Sequence, residues 1–319
     1  MRVGCFSALL SQFPLDKVLE KLKSLGITTV ELGTGNYPGG PHCPLDMLTN
    51  KAKLNDFKKT IADHGFTISA LSCHGDALHP NAAFAKANQN VSKKTIQLAE
   101  KLGVPVVIDF SGCPGDHDGA KHPNWVTCPW PPHYLEILDW QWNKKVIPYW
   151  TKHAKFATDH GVKVAIEMHP GFVVYSPETM LRLRQITGPS VGCNYDPSHM
   201  FWQGIDPIAA IRLLGDSIFH VHAKDTQIYN VNLPMTGVLD TKKYTDEKNR
   251  AWIFRTVGYG HSNQWWTEFI STLRMFGYDY VLSIEHEDSL MSADEGLTKA
   301  AAFLNNIMIK ESVGQAWWV

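Results

Sequence analysis

The sequence predicts one (β/α)8 TIM barrel spanning residues 1–319, with long loops after its fourth and seventh strands and a tail at 310–319. Three observations predict it. Eight short apolar runs alternate strictly with eight segments of helical periodicity. Several runs are almost continuous in Val and Ile, as parallel strands covered on both faces must be. Carboxylates and imidazoles then collect where the later runs end.

In chain order, the first strand is 3–6, followed by a helix at 15–25. The second strand, 28–32, leads to a helix at 52–64, and the third, 67–72, to a helix at 83–102. The fourth, 105–110, precedes a long helical pattern at 134–160. The fifth, 163–167, is followed by a helix at 177–186, and the sixth, 192–195, by one at 206–214. The seventh, 218–222, is separated from its helix, 264–276, by a long segment. The eighth, 280–285, is followed by a final helix at 293–309. Gly26, Gly65, Gly103, Gly161 and Gly277 each stand just past a helical pattern, where a left-handed cap ends a helix at little cost. A doubly wound open sheet is the competing arrangement, but no G-x-G-x-x-G follows the first strand.

Composition narrows the function. The formal net charge is −1, so no overall field draws the chain to nucleic acid or an anionic membrane. The six cysteines form no C-x-x-C pair and fit neither a zinc knuckle nor a disulfide framework. They read as reduced thiols of a cytoplasmic protein. There is no apolar run long enough for a membrane, and the first residues lack a signal-peptide pattern.

Residues 111–133 and 223–263 follow the fourth and seventh strands, on the face where barrel enzymes build their sites. Loops of this length in a compact domain are usually functional, the alternative being an interface or decoration. The final Gln-Ala-Trp-Trp-Val is apolar for a chain end. It suits either docking on a partner, as in a homo-oligomer or a complex with a small partner subunit, or packing on the chain's own barrel.

Four motifs end strands five to eight: Val-Ala-Ile-Glu-Met-His-Pro (164–170), Asn-Tyr-Asp-Pro-Ser-His (194–199), His-Val-His-Ala-Lys-Asp (220–225) and Ser-Ile-Glu-His-Glu-Asp (283–288). A charge at the end of an apolar strand is costly unless paired or metal-bound. Taken singly, each is an ordinary ion-pair partner or core histidine. Together they offer three carboxylates and an imidazole on neighbouring strands, a hard donor set for one divalent cation. Manganese is expected first, with Mg, Co or Zn as alternatives.

On these motifs the chain resembles the xylose isomerase-like TIM barrels, the sugar phosphate isomerases and epimerases that include the tagatose and psicose epimerases, inosose dehydratase and the apurinic endonuclease barrels. The resemblance covers nearly the whole chain. It implies Glu167, Asp196, His222 and Glu285 as metal ligands, with Glu167 and Glu285 exchanging protons and His199 beside the substrate oxygens. It implies isomerisation or epimerisation of a sugar or keto-sugar through an enediolate. The alternatives are a metal-dependent lyase, deglycosidase or dehydratase acting on a 3-keto glycoside or inosose and, remotely, an apurinic endonuclease. The last would need further His and Asp ligands; Phe110-Ser111 stands where one belongs. Where the epimerases carry an Arg six residues after the strand-seven His, this chain has Ile228. Arg255 is the candidate replacement, with a surface ion pair as its alternative role. His74, His169 and Trp130 are further substrate-binding candidates, since aromatic rings stack on the apolar faces of sugars. Gly258-Tyr259-Gly260 reads as a turn, since no Lys-Ser/Thr follows it. Glu287 or His286 is expected to support the metal shell.

Overall fold

The computed structural model describes residues 1–319. Its strands are β1 (Arg2–Phe6), β2 (Thr29–Gly33), β3 (Thr67–Ser72), β4 (Val106–Phe110), β5 (Lys163–Glu167), β6 (Val191–Tyr195), β7 (Ile218–Ala223), β8 (Asp225–Ile228), β9 (Trp252–Arg255) and β10 (Val281–Ile284). Eight of these close a parallel barrel in the order β1-β10-β7-β6-β5-β4-β3-β2. These are the eight predicted strands, with ends shifted by a residue or so. The helices are α1 (Leu15–Ser24), α2 (Lys51–Asp63), α3 (Ala82–Leu102), α4 (His133–Trp140), α5 (Ile147–Asp159), α6 (Pro177–Thr187), α7 (Ser198–Phe201), α8 (Pro207–Leu214), α9 (Leu233–Thr236), α10 (Asn263–Met275) and α11 (Ala293–Ile307).

Local chemistry sets the helix ends. Asn50, Asn81, Ser176, Asp206, Ser262 and Ser292 accept hydrogen bonds from first-turn amides. The five predicted stop glycines all adopt left-handed φ, between +67° and +88°.

Period-two alternation divides the apolar residues into two cores. Val164 and Ile166 of β5 join the large cluster between barrel and helices, whereas Ala165 belongs to a small cluster with Ala70, Val106, Ile108 and Phe219. The small cluster therefore fills the barrel interior. Above it the interior turns polar: Ser69, Ser72, Glu31, Asn194, His220, His222 and Ser283 are all fully buried.

Two segments differ from the sequence reading. The predicted helix 134–160 is α4 and α5 joined by a π-helical turn, Gln141–Val146. An extra residue in one turn leaves no trace in an apolar pattern. There Gln141 is buried, and its Nε2 donates to the carbonyls of Pro114 (3.1 Å), Gly115 (3.0 Å) and Asn124 (2.7 Å), fastening the strand-four insertion. The strand-seven insertion contains an antiparallel hairpin, β8 with β9, and the short helix α9, where the sequence reading had a long loop. Trp252 of β9 stacks on Trp202 at 4.5 Å, tying the hairpin to the segment after β6. The C-terminal tail lies exposed, with Trp317 at 88% and Trp318 at 71%.

A buried histidine makes stability depend on pH. His153, in α5, meets the Ser92 Oγ at 3.0 Å, and burial pushes its pKa down to about 4. A histidine depressed in the folded state favours folding fully above its unfolded pKa of about 6.5 and loses that contribution as pH falls. Acidification from pH 7 to 5 is expected to cost about 2 kcal/mol through this residue alone. Urea unfolding at both pH values should show a smaller drop in His153→Gln than in the wild type; equal drops would remove His153 from the account.

Candidate active site

Glu167 closes β5, Asp196 follows β6, His222 lies in β7 and Glu285 follows β10. The same alternation that sends Ala165 inward also sends Glu167, so an apolar strand delivers its terminal carboxylate into the barrel mouth. One donor atom from each of the four residues lies within 4.8 Å of the others. His222 Nδ1 stands 3.1 Å from Glu167 Oε2 and 3.2 Å from Glu285 Oε2. Glu167 Oε2 also accepts from Asn194 at 2.9 Å and meets His74 Nε2 at 3.0 Å. His199 Nε2 lies 3.4 Å from both Glu167 Oε1 and Asp196 Oδ2.

Lys224 enters from β7's end. Its buried ammonium is 3.1 Å from Asp196 Oδ2, 2.7 Å from Glu285 Oε2 and 2.9 Å from Glu287 Oε2. Burial alone would push these groups toward neutrality, and their neighbours reverse it. Burial raises the Glu167 carboxyl, but His74 and His222 hold it well below the usual carboxylate range. Glu285 is likewise raised by burial and drawn down by Lys224 and His222. Burial lowers Lys224, but Asp196, Glu285 and Glu287 hold it well above its usual value. For His169 the compensation from Glu167 and the Pro170 carbonyl is too small: burial and His199 push it down to about 3, so it is neutral at physiological pH.

The donor set fits a divalent cation. Asp196 Oδ2, His199 Nε2 and His222 Nδ1 are buried and make no hydrogen bond. Asp196 Oδ2 has the Lys224 ammonium at 3.1 Å, and the two imidazole nitrogens face only carboxylate oxygens at 3.1–3.4 Å, so a cation would complete their coordination. A second group of potential ligands, Glu31 with His220 and His222, is different. Ser72 and Ser283 donate to Glu31, and His220 is engaged on both sides, by Asn194 and Ser69. Of the three atoms without a hydrogen bond, Asp196 Oδ2 and His222 Nδ1 belong to the four-residue set, and His199 Nε2 belongs to a third group, Glu167 with His169 and His199, which shares Glu167 with it.

A cavity of about 440 Å³ opens over this cluster. Its polar lining includes Glu167, His169 and Lys224, and its apolar lining includes Phe6, Phe110 and Tyr37. Of the substrate candidates, His74 and His169 line it. Arg255 does not: its guanidinium donates to Asp288 Oδ2 (3.1 Å) and Gln227 Oε1 (2.6 Å), which takes the ion-pair alternative and corrects its placement in the site. Trp130 is also corrected, lying 73% exposed and outside the cavity. Trp142 and Trp266 are buried core residues. Glu287 reaches the site through Lys224, and His286 also lines the cavity.

The Gly258–Gly260 turn receives a carboxylate of the chain itself. Asp225 Oδ2 accepts from the amides of Gly258 (3.1 Å), Gly260 (3.1 Å) and His261 (2.9 Å), and from Trp266 Nε1 (3.0 Å). These backbone donors are therefore spent internally and offer no phosphate cradle. Sequence reasoning missed Glu31, whose signal was a carboxylate within an apolar run. It quoted Lys224 in a motif without giving it a role.

Comparison with known proteins gives a consistent picture. Residues 19–307 match the family model described as xylose isomerase-like TIM barrel. The chain is 41% identical over 301 residues to the uncharacterized protein YfiH of Bacillus subtilis (strain 168), covering 93% of this chain and 96% of that protein. A shorter stretch of 92 residues, 28% of this chain and 30% of the relative, is 29% identical to the inosose dehydratase of Geobacillus kaustophilus (strain HTA426). Among solved structures, the IolI protein with a bound zinc atom superposes with a TM-score of 0.66 at 19% identity, over 98% of this chain and 100% of that one. A D-psicose 3-epimerase in the presence of D-fructose gives 0.62 at 15% identity, over 97% and 99%. At these identities the structures establish a shared fold.

Lys224 is the cation that the carboxylates already possess, and its loss should be read in stability. Lys224→Met leaves Asp196 and Glu285 buried without it, a loss on the order of 3–5 kcal/mol in the metal-free protein. Thermal melting with and without Mn²⁺ should show a lower melting temperature for the variant and a larger rise on adding Mn²⁺ than in the wild type. Equal melting temperatures without metal would show that Lys224 is not the required counter-charge.

Proposed function

From the premise that the chain belongs to the xylose isomerase-like TIM barrel family, whose members include epimerases and dehydratases, we propose that it is a divalent-cation-dependent isomerase or epimerase of a sugar or keto-sugar. The observation that carries this reading is the convergence of Glu167, Asp196, His222 and Glu285, with the buried Asp196 Oδ2, His222 Nδ1 and neighbouring His199 Nε2 making no hydrogen bond, beneath a cavity of mixed polar and aromatic lining.

A cation held by those four residues would polarise adjacent carbonyl and hydroxyl oxygens and stabilise the charge of an enediolate as the α-proton leaves. Manganese is the expected metal for three carboxylates and one imidazole. The remaining work falls to side chains. Glu167 and Glu285 are both ionised, so either can accept the proton. Return to the same carbon from the opposite face inverts it, and return to its neighbour isomerises the sugar. His199, with its buried Nε2 unpaired, is placed to hydrogen-bond the oxygen that gains charge. His169 adds a neutral hydrogen-bonding group, while Phe6, Tyr37 and Phe110 suit the apolar face of a sugar ring.

Lys224 favours a second reading. An ammonium lining the cavity 2.7 Å from Glu285 is placed to hydrogen-bond a departing oxygen and offset its developing charge. That extends the same enediolate to β-elimination, as a dehydratase of an inosose or a lyase on a 3-keto glycoside would require.

Elemental analysis of wild type and Glu285→Ala, each after incubation with Mn²⁺, is the first test. About one metal per wild-type chain and a loss in the variant are expected. Ketoses, inososes and 3-keto glycosides incubated in D2O then separate the two readings. Deuterium beside the carbonyl without loss of a group identifies the isomerase or epimerase; release of water or an aglycone identifies the lyase. A wild-type protein that takes up no metal overturns both.

A further inference from the structure

Glu31 has no part in the chemistry above, yet it is a fully buried carboxylate inside the barrel. It lies in the middle of β2, fully buried, and its side chain enters the polar layer beneath the site. Both its oxygens are 3.0 Å from His222 Nε2. Ser72 Oγ donates to Oε1 at 2.5 Å and Ser283 Oγ to Oε2 at 2.7 Å. An ionised carboxylate accepts only, so the imidazole nitrogen facing it must carry a proton. The ring is held in this orientation from its face as well, since Phe6 stacks on it at 5.8 Å with planes 19° apart.

We propose that Glu31 is a positioning residue for the metal site: it keeps His222 protonated at Nε2 and turned toward β2, so that Nδ1 is the nitrogen presented to a cation. The inference rests on the metal-dependent reading above and deepens it. On the other side of the ring, Nδ1 is turned to Glu167 at 3.1 Å and Glu285 at 3.2 Å, the two carboxylates that would share the cation with it. His220 does not compete for this role. Its Nδ1 meets Asn194 Oδ1 at 2.8 Å and its Nε2 meets Ser69 Oγ at 3.2 Å. A carboxylate behind a ligating imidazole fixes the tautomer and strengthens the free nitrogen as a donor, and removing such a partner typically weakens metal binding about 10–100-fold. The two serines complete the arrangement by holding Glu31 from β3 and β10. The strand-seven ligand is thus oriented from four other strands: β1 through Phe6, β2 through Glu31, and β3 and β10 through Glu31's own hydrogen bonds.

The test uses ¹¹³Cd²⁺ as the probe, on full-length protein with ¹⁵N-labelled histidine. One cadmium–nitrogen coupling to Nδ1 of His222 is expected, with a proton retained on its Nε2. Competition against a chromophoric chelator should then show cadmium affinity about 10–100-fold lower in Glu31→Gln, and a smaller loss in Ser283→Ala, which keeps the carboxylate and removes one of its supports. If Glu31→Gln fails to fold, the Ser283→Ala affinity and the wild-type coupling still decide. Coupling through Nε2, or unchanged affinity in Ser283→Ala together with unchanged affinity in any folded Glu31→Gln, overturns the positioning role while leaving the metal site intact. A wild-type chain that binds no cadmium overturns the positioning role and the metal-dependent reading together.

Discussion

Everything at the barrel mouth follows from one constraint: four carboxylates, those of Glu31, Glu167, Asp196 and Glu285, enter a space largely closed to water. Buried charges of one sign are tolerated only among opposite charges and hydrogen-bond donors. The chain meets that demand with His222 between Glu31 and Glu167, His74 against Glu167, and Lys224 between Asp196 and Glu285. His222 and Lys224 each serve more than one carboxylate. The cluster is consequently a single electrostatic unit, in which no member has properties independent of the others.

The interior below the cluster is built to the same end. A small apolar plug of five residues fills the lower barrel, and a layer of serines, Asn194 and His220 separates it from the site. This layer does not ligate anything in the proposed chemistry. It gives the buried carboxylates and imidazoles hydrogen-bond partners at fixed positions, so their orientation is inherited from the barrel rather than from mobile loops. The insertions are fastened as well: Gln141 holds the one after β4, and Asp225 gathers the turn that ends the one after β7.

The parts of this arrangement that were legible in the sequence are those with a local signature. Strands showed as apolar runs, helix ends as glycines, and the four clustered residues as charges terminating apolar runs on neighbouring strands. What stayed hidden depends on partners remote in sequence. Arg255 looked like a substrate ligand because nothing near it indicates that Asp288, 33 residues on, takes its guanidinium. Trp130 looked like a sugar platform because an exposed and a buried tryptophan are the same letter. Glu31 stood in plain view within Thr29–Gly33, but its meaning required β2 to lie two places from β10 and three from β7 around the barrel. The β8–β9 hairpin was missed because four-residue strands inside a polar, glycine-bearing segment carry too little alternation to stand out.

The π-helical turn at Gln141–Val146 bears on how the chain tolerates changes of length. Each helical residue rotates the side chains beyond it by about 100°. Trimming one residue from that turn to restore regular geometry would swing α5 around its own axis relative to α4. Trp150 would lose its place against the Ser111 carbonyl, or Gln141 would lose its three carbonyls in the insertion. The irregular turn is therefore the register mark that lets one helix serve the barrel wall and the rim loop together, and single-residue deletions are far less tolerable there than in the exposed tail.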